Sequence, residues 1–73
     1  MSKLPRHSGR ECCRVLERCG FYFKRQHGSH MIYRRDDPFA QAAIPDHKEL
    51  DAGTLRAIIR TAGLTVEEYL KNT

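Results

Sequence analysis

No stretch of this sequence approaches the roughly 20 consecutive apolar residues that a membrane span needs, and none has the apolar centre of a secretory leader. No membrane association and a cytoplasmic location are therefore expected. Cysteine is scarce and poorly spaced. Cys12, Cys13 and Cys19 are odd in number and lack C-x-x-C spacing, which argues against a disulfide framework or a structural zinc site. Cys12 and Cys19 fall on one side of a helix with Val15 and Leu16, and read as small core hydrophobes. Length is limiting too. The 73 residues allow one domain over 1–73, with 1–7 as a loose basic leader, and such a chain buries only about 60% of its unfolded surface. That excludes a deep, walled cleft. Any chemistry belongs on a shallow surface, with a substrate large enough to bring its own binding energy.

Positive charge is in surplus. Thirteen Lys and Arg against nine Asp and Glu give a formal charge of +4 and a pI near 9.3. This balance favours a polyanionic partner, nucleic acid or an acidic protein, through long-range attraction and counterion release.

Along the chain, Ser8-Gly9-Arg10-Glu11 matches a capping box, and Cys12, Val15, Leu16 and Cys19 recur at helical spacing. Gly20 is a natural terminator, so the first helix is expected over 9–19. From Gly20 the period changes. "FYFKRQ" and "HMIYRR", separated by a glycine turn in "QHGS", predict a β-hairpin. Its register, and whether His30 shares a face with Phe23, stays open at this level, because a one-residue slip exchanges the faces. Asp36-Asp37-Pro38 ends the second strand and "AQAAIP" predicts a third. Leu55, Ile58, Ile59 and Ala62 mark a second helix stopped by Gly63. Thr65 to Glu68 is another capping box, opening a short last helix that docks Val66, Tyr69 and Leu70. The order α-β-β-β-α plus a C-terminal helix predicts an α+β fold with a three-stranded antiparallel sheet and helices on one face. This is also the architecture of the double-stranded-RNA-binding domain.

Several motifs now stand in a defined order: Gly20-Phe21, Arg25-Gln26-His27-Gly28-Ser29-His30, Ile44-Pro45, Lys48-Glu49-Leu50, and Gly53-Thr54-Leu55 with Ile58 and Ile59. Together they resemble the HicA, or YcfA-like, family of small toxins over roughly residues 8–64. The resemblance implies an mRNA-cleaving ribonuclease held inactive by a HicB-type antitoxin. It places the family's catalytic histidine, the one in the G-S-H motif, on His30. Many members carry a second histidine after the catalytic one, where this chain has Met31. That departure suggests the second histidine is not essential to the chemistry.

The residues themselves support a similar reading. His30 stands where a turn meets a strand, among Lys24, Arg25, Arg34 and Arg35. A histidine exchanges protons at cellular pH, and RNA offers an internal nucleophile, the 2′-OH. His30 is then the base or the acid of a transesterification that needs no cofactor. Gly28 and Ser29 are candidates for positioning it. Lys24 or Arg25, according to register, would clamp the phosphate, and His47 and Lys48 would line the RNA path. His27-x-x-His30 also spells a metal pair, but residues three apart on a strand point to opposite faces, and zinc wants three or four ligands. Arg10, Arg14 and Arg18 form a stripe on the first helix: an RNA track, a docking surface for an acidic antitoxin, or a solvated face balanced by Glu11 and Glu17. Tyr22, Tyr33 and Phe39 are either core residues or stacking platforms for bases. The rival from another class is a non-catalytic RNA-binding module of the same fold.

Overall fold

The computed structural model describes residues 3–73; the expected loose start at Met1 and Ser2 lies outside them. The first helix, α1, runs Gly9–Arg18, and its start is built as the sequence demands. The Ser8 hydroxyl accepts from the Glu11 N–H at 3.1 Å, while the Glu11 carboxylate accepts from the Ser8 N–H at 2.7 Å. Three strands follow, β1 (Tyr22–His27), β2 (His30–Asp36) and β3 (Phe39–Pro45). They form one antiparallel sheet in the order β1-β2-β3. Helix α2 (Ala52–Thr61) is capped by Asp51, whose carboxylate accepts from the Thr54 N–H. Helix α3 (Val66–Lys71) begins with the Thr65–Glu68 capping box. The expected α-β-β-β-α order with a short terminal helix is the fold observed.

One face of the sheet carries the core. Met31 pairs with Ile44 and Tyr33 with Ala42, and all four are buried together with Leu16, Leu55, Ile58, Ile59 and Tyr69. Fully burying a Leu or Ile side chain contributes about 1.5–3 kcal/mol, so Leu16, Ile44 and Leu55, all fully buried, account for much of what a domain this small has to spend. Both α1 and α2 pack chiefly against β3. Strand β1 is left exposed along its whole length.

Cys12 is buried as expected, but its helix neighbour Cys13 joins it, while Cys19 is only half-buried. Burial pushes the Cys12 thiol up to about 11 and the Cys13 thiol to about 12. Both are therefore un-ionised packing groups at neutral pH, since the thiolate is the reactive form. Gly9 is buried because α1 begins against the end of β3: a Cβ there would overlap the Pro45 carbonyl. On the other side of the core, His7 Nδ1 lies 2.7 Å from the hydroxyl of fully buried Tyr69. The Leu50 N–H donates to the His7 carbonyl. The segment before α1 is thereby tied to both α3 and the β3–α2 connection.

Candidate functional site

The hairpin between β1 and β2 closes on two residues, Gly28 and Ser29, with His27 paired to His30. Gly28 has φ +61°, and among the described residues only glycines adopt a positive φ. A glycine with positive φ followed by a residue with negative φ is the pattern of a type II′ turn, whose twist matches that of the flanking strands. Nothing lies near the position a Gly28 Cβ would take, so the demand for glycine is conformational rather than steric. The Ser29 carbonyl accepts from the Asp46 N–H at 2.8 Å. This bond moors the turn to the chain leaving β3.

The register decides which residues share the site. His30 pairs with Pro45, Ile32 with Ala43 and Arg34 with Gln41 on the sheet face turned away from the core. On β1, a bulge at Lys24 shifts the pairing, so that Phe23 stands opposite Tyr33 while Arg25 stands opposite Ile32. His30 and Phe23 are therefore on opposite faces. Arg25, His27 and His30 share the open face, and Lys24 is the extra residue of the bulge. The only carboxylate among the paired residues of this face, Asp36, lies at its far end, where it accepts from Arg34 at 2.8 Å and from the Tyr22 hydroxyl. The half of the face around His30 is thus cationic.

The pairing overturns one expectation. His27 and His30 do not point to opposite faces, because alternation applies within one strand and these residues belong to two. The two-residue Gly-Ser loop makes them a cross-strand pair. A glycine-first loop of that length is a II′ signal, and it is the feature of the sequence from which the pairing was readable.

His30 is exposed, and it lines a groove of about 290 Å³. Ala43, Pro45, Ala57 and Ile58 make its lining largely apolar, and Thr54 and Thr61 of α2 complete it, the Thr61 hydroxyl donating to the Ala57 carbonyl at 2.7 Å. Neither His47 nor Lys48 lines it. Both are exposed in the connector after β3, where the His47 carbonyl accepts from the Gly9 N–H at the start of α1. A larger groove, about 580 Å³, lies on the helix side between α1 and the core face. It is lined by Arg10, Arg14, Arg18, Cys13, Met31 and Tyr33, with Glu17. Its acidic group is engaged by the Tyr33 hydroxyl at 3.0 Å, and Tyr33 and Cys13 are both held un-ionised, chiefly by burial. The smaller groove is the better candidate for acid–base work, because it holds an exposed imidazole.

The α1 stripe exists, but it lines the larger groove with Met31 and Tyr33 and not the groove that His30 lines. Within it Arg10 pairs with Asp46 at 3.2 Å and Arg18 donates to the Asn72 carbonyl. The aromatics divide. Tyr33 is core, whereas Tyr22 (43% exposed) and Phe39 (64%) stand on the open face beyond Arg34. The guanidinium of Arg34 sits 5.1 Å from the Phe39 ring centroid.

A family model described as the HicA toxin of bacterial toxin–antitoxin systems matches residues 9–64. The chain belongs to the HicA toxin family. The matched segment runs from the first residue of α1 to Leu64, just beyond the glycine that ends α2, and includes the G-S-H turn and the whole sheet. No curated protein matches the chain. The HicA assignment agrees with the fold, which has the α-β-β-β-α order of double-stranded-RNA-binding domains. Among the described residues no helix is long and apolar enough to cross a membrane. No group of three or more His, Cys, Asp or Glu is placed to hold a metal ion among them either. In this HicA protein Met31, which follows the G-S-H motif, is buried on the core face. Its side chain is directed away from His30.

Proposed function

We propose that this HicA toxin is a metal-independent endoribonuclease that cleaves mRNA, with His30 moving a proton at the reacting phosphodiester. The observation that carries the reading is the placement of an exposed imidazole at the moored end of the hairpin, on the face that also carries Arg25 and at a largely apolar groove against α2. RNA lying on the open face would meet cations near His30 and aromatic rings near Phe39. In this reading the 2′-oxygen attacks phosphorus, the 5′-oxygen leaves, and Arg25 offsets charge on the non-bridging oxygens. Gly28 and Ser29 hold the imidazole by setting the turn. A positioned acid–base group is worth about 10²–10⁴-fold, a factor that needs no enclosed cleft.

A HicB-type antitoxin is the partner this reading requires. It would bury or block His30, and charge complementarity would make its association fastest at low salt. A complex that forms yet leaves RNA cleavage undiminished would remove the blocking role.

The test is incubation of purified protein with RNA in EDTA, followed by analysis of product ends. Products with 2′,3′-cyclic or 3′-phosphates and 5′-hydroxyls are expected, and a 2′-deoxy substitution at the cut site should abolish cleavage. His30→Ala should lose cleavage while keeping its fold and RNA affinity. Retained cleavage in that variant would leave only the non-catalytic RNA-binding module.

A further inference from the structure

Transesterification of RNA asks for two proton transfers on opposite sides of one phosphorus. The 2′-oxygen loses a proton as it attacks, and the 5′-oxygen gains one as it leaves. In an in-line displacement these oxygens are apical and face away from each other, so one imidazole does not reach both in a single step. If His30 is one of the two groups, the fold must supply the other.

We propose that His27 is the second proton-transfer group, working opposite His30 across the bound phosphodiester; the inference rests on the ribonuclease reading above. The two residues are direct cross-strand partners closing the Gly28-Ser29 turn. Directly opposed residues have Cβ atoms roughly 4.5–5.5 Å apart, which leaves two imidazoles free to splay around a phosphate seated between them. Both side chains are exposed. Arg25, two residues before His27 on the same face, faces the same space.

The remaining candidates are placed elsewhere. His7 is engaged with Tyr69 on the helix side. His47 sits at the start of α1, outside the His30 groove. The Tyr22 hydroxyl is held by Asp36 at the far end of the face. A histidine at position 31 would point into the core, so a second imidazole beside His30 must come from the opposing strand.

The proton balance closes without a co-reactant. A neutral imidazole of the pair takes the 2′-OH proton as the 2′-oxygen–phosphorus bond forms. The protonated imidazole of the other gives its proton to the 5′-oxygen as the phosphorus–5′-oxygen bond breaks. The products are a 2′,3′-cyclic phosphate and a 5′-hydroxyl, and the pair ends with its proton on the other member. Exchange with solvent resets it.

The experiment compares wild type, His27→Ala and His30→Ala on an ordinary oligoribonucleotide and on one whose scissile 5′-oxygen is replaced by sulfur. Sulfur leaves without needing a proton, so it rescues loss of the acid but not of the base. His27→Ala should lose about 10²–10⁴ in kcat with KM and melting temperature near wild type, and one of the two variants alone should recover on the sulfur substrate. His27→Ala cleaving ordinary RNA at the wild-type rate while His30→Ala is inert would overturn the proposal and leave the ribonuclease reading standing. A His27→Ala loss confined to KM, or recovery by neither variant, would equally remove His27 as a proton-transfer group. If wild type itself cuts neither substrate, the ribonuclease reading fails first and this proposal fails with it.

Discussion

Along β2, His30, Ile32 and Arg34 face away from the core, while the residues between them, Met31 and Tyr33, sit in it. The strand thus presents two surfaces of different character at a spacing of one residue. On the core face the paired partners are Ile44 and Ala42; on the open face they are Pro45, Ala43 and Gln41. Packing constrains the first set, because interiors are filled at crystal-like density. Solvent imposes little on the second, so cations and imidazoles are affordable there. A small domain that cannot enclose a cleft can still place acid–base groups on a rigid support. Stability and chemistry should then be separable by which neighbour is changed.

The largest effect should come from the core side. Ile44→Ala removes a fully buried side chain and should cost about 2–5 kcal/mol, a large share of the 5–15 kcal/mol typical of a folded domain. Ala43→Ser, one residue away and exposed, should change stability by no more than about 0.5 kcal/mol. Urea denaturation of both variants checks the contrast. Equal losses would mean that β3 is not divided between two faces as described.

Met31→His sharpens the comparison at the site. It should lose roughly 1–3 kcal/mol, because an imidazole without a partner would be buried among apolar neighbours. It should not restore cleavage when combined with His30→Ala. Cleavage by that double variant would show that position 31 reaches the open face.

Charge gives a third contrast, smaller in stability and read in RNA binding. Arg25 stands on the open face, whereas Arg14 lies on the α1 stripe and makes no ion pair among the described residues. A lysine or arginine that contacts phosphate adds about 1 to the salt slope of binding. Arg25→Ala should lower that slope by about this amount, and Arg14→Ala should leave it unchanged. The opposite result would move the RNA to the helix side.

Much of this was legible in the sequence, and for physical reasons. Ser8 with Glu11, and Thr65 with Glu68, announce helix starts because the hydroxyl–carboxylate reciprocity is local. Leu55, Ile58, Ile59 and Ala62 announce α2 through their period. The face on which each β1 residue lies was not legible, because it depends on the bulge at Lys24. One extra residue there moves Phe23 and Arg25 onto opposite faces, and no local signature marks it. The burial of Cys13 was missed for a related reason: the width of the buried stripe on α1 is set by the sheet it packs on. The His27–His30 pairing is within reach of the sequence, since Gly28-Ser29 is a two-residue loop with glycine first, although H-x-x-H read as a single strand points the two rings apart. The exclusion of His47 and Lys48 from the groove needed the whole fold, because a connector's path follows from the elements at its two ends.

The smallest expected effect tests how far the open face is used. Phe39 lies opposite Asp36, six residues along β2 from His30, which is about 20 Å at the rise of a strand. Its ring is largely exposed and held by the Arg34 guanidinium, a geometry that leaves one surface free for a base. Stacking on an aromatic side chain is worth about 1–3 kcal/mol per base. An edge-of-sheet ring already engaged by a cation should fall at the low end, near 1 kcal/mol. Phe39→Ala should therefore raise KM by about fivefold to tenfold for an oligonucleotide long enough to span the face, since 1.4 kcal/mol is tenfold. The catalytic rate constant should hold, because the ring is remote from the reacting phosphate. A dinucleotide cannot reach Phe39 from His30, so its cleavage should be indifferent to the substitution. An equal effect on both substrates would assign Phe39 to folding rather than to binding. No effect on either would confine the RNA to the end of the sheet that carries His27, Arg25 and His30.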